Sequence, residues 1–325
     1  MRTTPSLRAG RLGFGAALLL LLVLCPFLLP VYWTLILTEI LIMALFAMSF
    51  NLLLGYTGLL SFGQAGMFGA GAYAAALAIL KGGLSLWLAL AAGVLTAALV
   101  ALVIGYLCVR RDEIYFAMIT LGFGMMLYTV AHNWIELTGG SDGLPLAAVP
   151  PLTFFAWEVS LFDPRWMYLF VLGVTLLGTL VLWRVVRSPF GLLLTAIREN
   201  RDRLAFVGAS VRNIRLAAFV ISGALSGLAG ALFCLFNNMA TPDFMHWGFS
   251  AKPVLMTILG GAGVFLGPAF GAAVFFALEQ ATIQITENWM IILGAVLIPV
   301  VIFFPRGILG TILHRLNAGR GKSRE

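Results

Sequence analysis

The sequence predicts an all-α, polytopic membrane protein of about ten transmembrane crossings, and three observations carry that prediction. Of its 325 residues 61% are hydrophobic and only 10% are charged, whereas soluble chains run at about half apolar and roughly a quarter charged. The apolar residues gather in runs long enough for a bilayer crossing, which takes about 20 residues. The charged residues fall between those runs, as loops do. A soluble globular protein is therefore excluded, and residues 1–325 read as one transmembrane domain that works in or across a membrane.

Apolar runs bounded by charge or by Gly and Pro place crossings near 12–30, 33–54, 58–80, 84–108 and 114–132. A polar loop over 133–164 precedes a crossing near 166–185, and an Arg-rich stretch over 187–215 leads into one near 216–236. Three more follow near 252–263, 268–286 and 289–305, the first of them short. The opening MRTTPSLRAGR before an apolar run is how a signal peptide begins, but no small-residue cleavage pattern follows before Pro26 and Pro30, so it reads as a retained first helix.

Orientation follows from the basic residues. With the N-terminus inside, Arg2, Arg8, Arg11, Arg110, Arg111, seven arginines from Arg184 to Arg215, Arg306, Arg315, Arg320, Lys322 and Arg324 share one side. Lys81, Arg165 and Lys252 are left on the other, with Glu136, Asp142, Glu158, Asp163, Asp243 and Glu287. The positive-inside rule then puts both termini in the cytoplasm. The number of crossings is thus even, and 252–263 counts as one, crossing as a half-helix. Topology accounts for the net charge of +7 without a nucleic-acid partner. Cys25, Cys108 and Cys234 lie in apolar stretches and read as packing residues, with neither a disulfide nor a metal site expected.

Two glycine-rich passages echo each other, LGYTGLLSFGQAGMFGAGAY from Leu54 and LGGAGVFLGPAFGAA from Leu259. The second is expected to enter from the opposite side, as in an inverted repeat whose broken helices meet near the midplane, where unwound backbone needs protein or a water-filled cavity beside it. Gly55, Gly58, Ser61, Gly63 and Gln64 in the first and Gly260, Gly261, Gly263 and Gly267 in the second are candidates to line a substrate pathway. Close helix packing is the alternative, preferred for Ala65, Gly69 and Gly71; for Ser61 and Gln64 the alternative is interhelical hydrogen bonding.

The most patterned hydrophilic segment is RSPFGLLLTAIRENRDRLAFVG, residues 187–208. Ser188 can cap a helix with Pro189 in its first turn. Phe190, Leu194 and Ile197 then share one face, with charges of both signs opposite and Gly208 as a stop. Such a helix could lie on lipid headgroups. Its mixed run Arg198, Glu199, Asn200, Arg201, Asp202, Arg203 favours docking of a cytoplasmic protein.

In TGGSDGLP, residues 138–145, Gly139, Gly140, Ser141 and Asp142 are candidates for a gate or docking contact on the outer side, although a Gly-Asp loop is also an ordinary turn. Glu39 and Glu279, with His132 near a crossing end, are intramembrane ionisable residues; they are functional candidates unless they lie close enough to the outer interface to be solvated. No G-x-x-x-x-G-K-S/T cradle occurs, because the tail GKS at Gly321 has Leu316 where the upstream glycine belongs. ATP hydrolysis, if used, must come from a partner. Ser61, Ser141 and Ser222 sit in no nucleophile motif, so an enzyme is not expected and no cofactor is assigned to this chain. A secondary transporter or channel working without ATP is the alternative function class.

The phrases NLLLGYTGLLSFGQAGMFGAGAY, LTGGSDGL, SPFGLLLTAIREN, AFVISGALSGLAGAL, LGGAGVFLGPAFGA and FPRGILG, in this order over about residues 40–310, resemble those of the bacterial branched-chain amino acid ABC importer permeases. The TGGSDGL and IREN elements are similar to the M-type rather than the H-type subunit. The resemblance implies an inner-membrane permease paired with a second, H-type permease, two cytoplasmic ATPases that use the ATP, and a periplasmic binding protein. It implies inward passage of branched-chain or related small hydrophobic amino acids by alternating access, although related permeases serve urea, short amides or aromatic acids. It also implies that Ser188, Pro189, Phe190, Gly191, Ala196, Ile197, Arg198, Glu199, Asn200 and Gly208 belong to the helix that couples to the ATPase.

Overall fold

The computed structural model describes residues 19–110, 113–146, 150–154, 157–283, 289–304 and 307–311. Helices dominate, as the apolar runs require: a backbone crossing lipid must satisfy its own hydrogen bonds. After α1 (Leu19–Leu28) comes α2 (Val31–Asn51), which continues through a π-helical turn, Leu52–Thr57. Then follow α3 (Gln64–Leu80), α4 (Leu86–Cys108), α5 (Glu113–Asn133) and the short α6 (Ile135–Thr138). Next come α7 (Pro164–Val186), α8 (Pro189–Phe206) and α9 (Val211–Asn237). The last three are α10 (Trp247–Gly260), α11 (Gly267–Ile283) and α12 (Trp289–Phe303). The strands are minor: β1 (Leu144–Pro145) pairs antiparallel with β4 (Met239–Ala240), and β2 (Leu152–Phe154) with β3 (Trp157–Val159).

Among the described residues five helices are long and apolar enough to cross a membrane: Val31–Thr57, Leu86–Cys108, Ile114–Asn133, Pro164–Val186 and Val211–Asn237. The chain is a multi-pass membrane protein. The run expected at 58–80 becomes a helix of 17 residues because the glycine-rich segment before Gln64 interrupts it. That at 252–263 becomes a helix of 14 residues that begins earlier, at Trp247, and stops at the glycines after Gly260, and that at 268–286 is helical over its described part, Gly267–Ile283. The segments 12–18, 284–288 and 305–306, on which parts of three expected crossings fall, and the tail from residue 312 lie outside the described residues.

Helix α9 is the centre of the bundle, packed between α3 and α4. Lipid supplies no hydrophobic force between helices, so close backbone approach does the work. A Cβ on Gly71 would strike the backbone of Gly227, and one on Gly230 would strike the carbonyl of Phe68. Beside this contact the rings of Phe46, Phe68, Phe233, Phe244 and Phe249 form one cluster, with Phe46 to Phe68 at 4.7 Å and Phe68 to Phe249 at 5.0 Å between centroids. Cys108 and Cys234 are buried and Cys25 half-buried, all of them free thiols.

Candidate functional site

The first glycine-rich passage does break its helix. The π-turn ends at Gly58, whose φ of +78° is left-handed, and residues 58–63 run without regular structure before α3 begins at Gln64. The second breaks at Gly261, φ +105°, and α11 starts at Gly267. The two breaks touch, because a Cβ on Gly55 would strike the carbonyl of Ala262.

Their relative direction differs from the sequence expectation. The Thr257 hydroxyl on α10 donates to the Ala47 carbonyl on α2 at 3.4 Å, and further along Ala262 meets Gly55, so residue numbers rise together and α2 runs parallel to α10. Both breaks therefore follow helices that arrive at the same end of the bundle. The second passage does not enter from the opposite side. Gly260 and Gly267 lie backbone to backbone, Gly307 presses on Gly261, and Gly63 lies against the Thr120 carbonyl of α5. Gly263 stands open at the tip of the turn.

Gln64 is fully buried, and both ends of its amide are bonded within the bundle. Its Nε2 donates to Ser222 at 3.3 Å and its Oε1 accepts from Ser226 at 2.8 Å, both on α9. Ser222 donates to the Ser49 carbonyl at 2.7 Å, and the Ser49 and Ser226 hydroxyls lie 2.9 Å apart. Gln64 thus ties α3 to α9 directly and to α2 through the serines, the geometry of interhelical hydrogen bonding. Ser61 is also fully buried and accepts from the Gly63 N–H at 3.3 Å inside the break. Of the serines that complete this network, Ser222 is distinguished in the sequence only by lacking a nucleophile motif, and Ser49 and Ser226 by nothing, since isolated serines in apolar runs carry no spacing signal.

Helix α8 has the expected apolar face: Gly191, Leu194 and Ile197 are buried and Phe190 is half-buried. Ser188 holds the N-cap position with Pro189 at N1, but its hydroxyl donates back to the Val185 carbonyl at 2.7 Å rather than capping α8. Gly191 is required by the close approach of α7, because a Cβ there would meet the Val186 carbonyl. At the far end Gly208, φ +90°, forms the stop: its N–H bonds to Ala205 at 2.9 Å and that of Ala209 to Leu204 at 3.3 Å, a left-handed helix closure.

Two residues of α8 have positions that their place in the charged run does not disclose. Arg198, although exposed, reaches across to the helix break: its side chain packs on Gly58 and its guanidinium donates to the Gly55 carbonyl. Asn200 leaves helical geometry and bends α8, and its Oδ1 accepts from the Arg203 N–H at 3.0 Å to cap the following turn. Ala196, Glu199, Asn200, Arg203, Leu204 and Val207 line an open cavity of about 350 Å³. Next to it Phe206 and Val207 are 91% and 84% exposed. The signal that could have found these two is an apolar pair directly before the helix-stopping glycine.

At the other end of the bundle Gly139, Gly140 and Gly143 all have positive φ, and Ser141 and Asp142 are exposed, with the Ser141 hydroxyl donating to Asp142 at 3.2 Å. This loop is tied to the loop after α9 by the pairing of Leu144 with Ala240 and Pro145 with Met239. His132 is exposed there and stacks on Tyr128 at 5.6 Å.

Lys252 is not a loop residue. It lies in the second turn of α10, with its Nζ 3.8 Å from Glu279 Oε1 of α11 and 5.5 Å from the centre of the Phe249 ring. Glu279 is 7% exposed, and Glu39 on α2 lies within electrostatic reach of both. The alternative that Glu279 is simply solvated at an interface does not hold, since burial and an ion pair surround it.

Comparison with known proteins identifies relatives. A sequence model of the family described as branched-chain amino acid transport system / permease component matches residues 32–301. The high-affinity branched-chain amino acid transport system permease protein LivM of Escherichia coli is 29% identical over 96% of this chain and 78% of its own length. The corresponding LivH of the same organism is 28% identical over 82% of this chain and 91% of its own. The autoinducer 2 import system permease protein LsrC of Klebsiella pneumoniae is 29% identical over 51% of this chain and 46% of its own length. No solved structure matches.

Proposed function

The chain belongs to the branched-chain amino acid transport permease family, and from that premise we propose that it is one permease subunit of an ATP-driven importer for branched-chain or related small hydrophobic amino acids. Its helices make ten crossings with both termini in the cytoplasm of a bacterial inner membrane. A second, H-type permease completes the membrane part. Two cytoplasmic ATPases hydrolyse the ATP, a periplasmic binding protein delivers the substrate to the end that carries Gly139, Gly140, Ser141 and Asp142, and this chain holds no cofactor of its own.

The observation that carries this reading is the position of α8. A short, bent, amphipathic helix with an exposed Phe206–Val207 tip is fixed by Arg198 to the turn where both helix breaks meet. Force applied to α8 from outside the bundle therefore arrives at the breaks, which in transporters built on discontinuous helices lie at the site around which alternating access takes place. The family resemblance adds Ser188 to Gly208 as the segment facing an ATPase. Extraction of the tagged chain from its native membrane in mild detergent should bring with it a second permease and two P-loop ATPases. Recovery of the chain alone under several such conditions would refute the assembly and favour a carrier working without ATP.

A further inference from the structure

Lys252 of α10 and Glu279 of α11 pair at 3.8 Å, and Glu39 on the adjoining α2 lies within electrostatic reach of both. Their depth makes this costly. The apolar helix Val31–Thr57 spans 27 residues, about 40 Å at a rise of about 1.5 Å per residue, against about 30 Å of hydrocarbon. Glu39 lies eight residues from its start, about 12 Å along it, and so inside the apolar layer. A charged side chain there costs about 3 kcal/mol or more unless it faces protein or water.

The ion pair does not use up these groups. At 3.8 Å the Lys252–Glu279 contact is longer than a direct charge-assisted hydrogen bond, about 2.7–2.9 Å. Glu279 Oε2 is buried with no partner among the described residues, and the Lys252 side chain stays 27% exposed. Beside them the half-buried rings of Phe249 and Phe244 form the rim of the aromatic cluster. An ammonium without a hydrogen-bond partner among the described residues, a carboxylate oxygen equally without one and an apolar wall adjoin one another, and the face carrying them is unsuited to lipid.

We propose that Lys252, Glu279 and Glu39 form a binding station for a zwitterionic α-amino acid on the transit path: Lys252 takes the α-carboxylate, the two glutamates take the α-ammonium, and Phe249 with Phe244 takes the apolar side chain. This rests on the transport reading above and adds to it the place and chemistry of recognition within the membrane.

The test uses the complete transporter in native membranes, with Cys25, Cys108 and Cys234 replaced by Ala and Lys252→Cys introduced. A membrane-impermeant cationic methanethiosulfonate should label position 252, and leucine raised well beyond about tenfold above the concentration that saturates the native protein, to offset the lost carboxylate contact, should slow that labelling. In the cysteine-containing protein Lys252→Ala should raise the KM for leucine uptake about tenfold or more, the loss of one charge-assisted bond, while Lys252→Arg keeps it within about twofold of the native value. Absence of labelling overturns the aqueous path. Labelling that leucine leaves unchanged, or an unaltered KM in Lys252→Ala, reduces the cluster to a structural ion pair and overturns the station. Should Lys252→Cys fail to insert, Phe249→Cys on the same face takes its place with the same outcomes. Absence of leucine uptake by the native protein would instead refute the transport reading itself.

Discussion

The guanidinium of Arg198 donates a hydrogen bond to the carbonyl of Gly55, 143 residues earlier in the chain. That carbonyl lies in the last turn of a helix, where carbonyls have no intrahelical partner and a cation is favoured by the helix dipole. Gly58, one turn on, leaves the space in which the aliphatic part of Arg198 lies. A residue that reads as one charge in a solvated run is thus the tie between α8 and the helix breaks.

Arg198→Ala should therefore uncouple the permease rather than detach its partners. We expect uptake to fall about tenfold or more, the scale of one lost charge-assisted bond, with ATPase subunits still co-purifying, and Arg198→Lys to restore part of the loss. Loss of the ATPases in Arg198→Ala would instead make this residue a docking contact.

The exposed tip of α8 predicts the converse. Phe206→Asp and Val207→Asp alter side chains that are 91% and 84% exposed, so thermal stability should move by no more than about 0.5 kcal/mol. Co-purification of the ATPases should nevertheless be reduced. Unchanged recovery of the complex would place the docking surface elsewhere on α8.

Gln64→Leu tests whether the buried amide is a strut or a pathway group. Its removal takes one hydrogen bond from each of Ser222 and Ser226, which keep only their bonds to Ser49 in the bundle core, a loss of about 1–2 kcal/mol. The melting temperature of the detergent-solubilised chain should fall, whereas the KM for uptake in membranes should not change. A KM change at unaltered melting temperature would return Gln64 to the substrate path.

Gly230→Ala places a methyl group against the Phe68 carbonyl, where α9 and α3 are in backbone contact. Overpacking of this kind costs about 1–3 kcal/mol, and protease resistance of the inserted chain should drop accordingly. Gly263→Ala, at an open position of the second break, is the matched control and should leave resistance unchanged.

Much of this protein is determined locally and is therefore legible in its sequence. A crossing needs a long apolar run, a break needs glycine, and a helix tolerates proline at its first position, so the helices, the interruptions near Gly58 and Gly261 and the start of α8 at Pro189 follow from residue type and spacing. Whether α2 and α10 run parallel was decided only in three dimensions, by Thr257 meeting Ala47 and Gly55 meeting Ala262. The same holds for the reach of Arg198 to Gly55, the serine network around Gln64 and the meeting of Lys252 with Glu279. Each joins groups far apart in the chain, and a polar side chain's role depends on which partner packing places within hydrogen-bond or ion-pair reach, a property that no local pattern encodes.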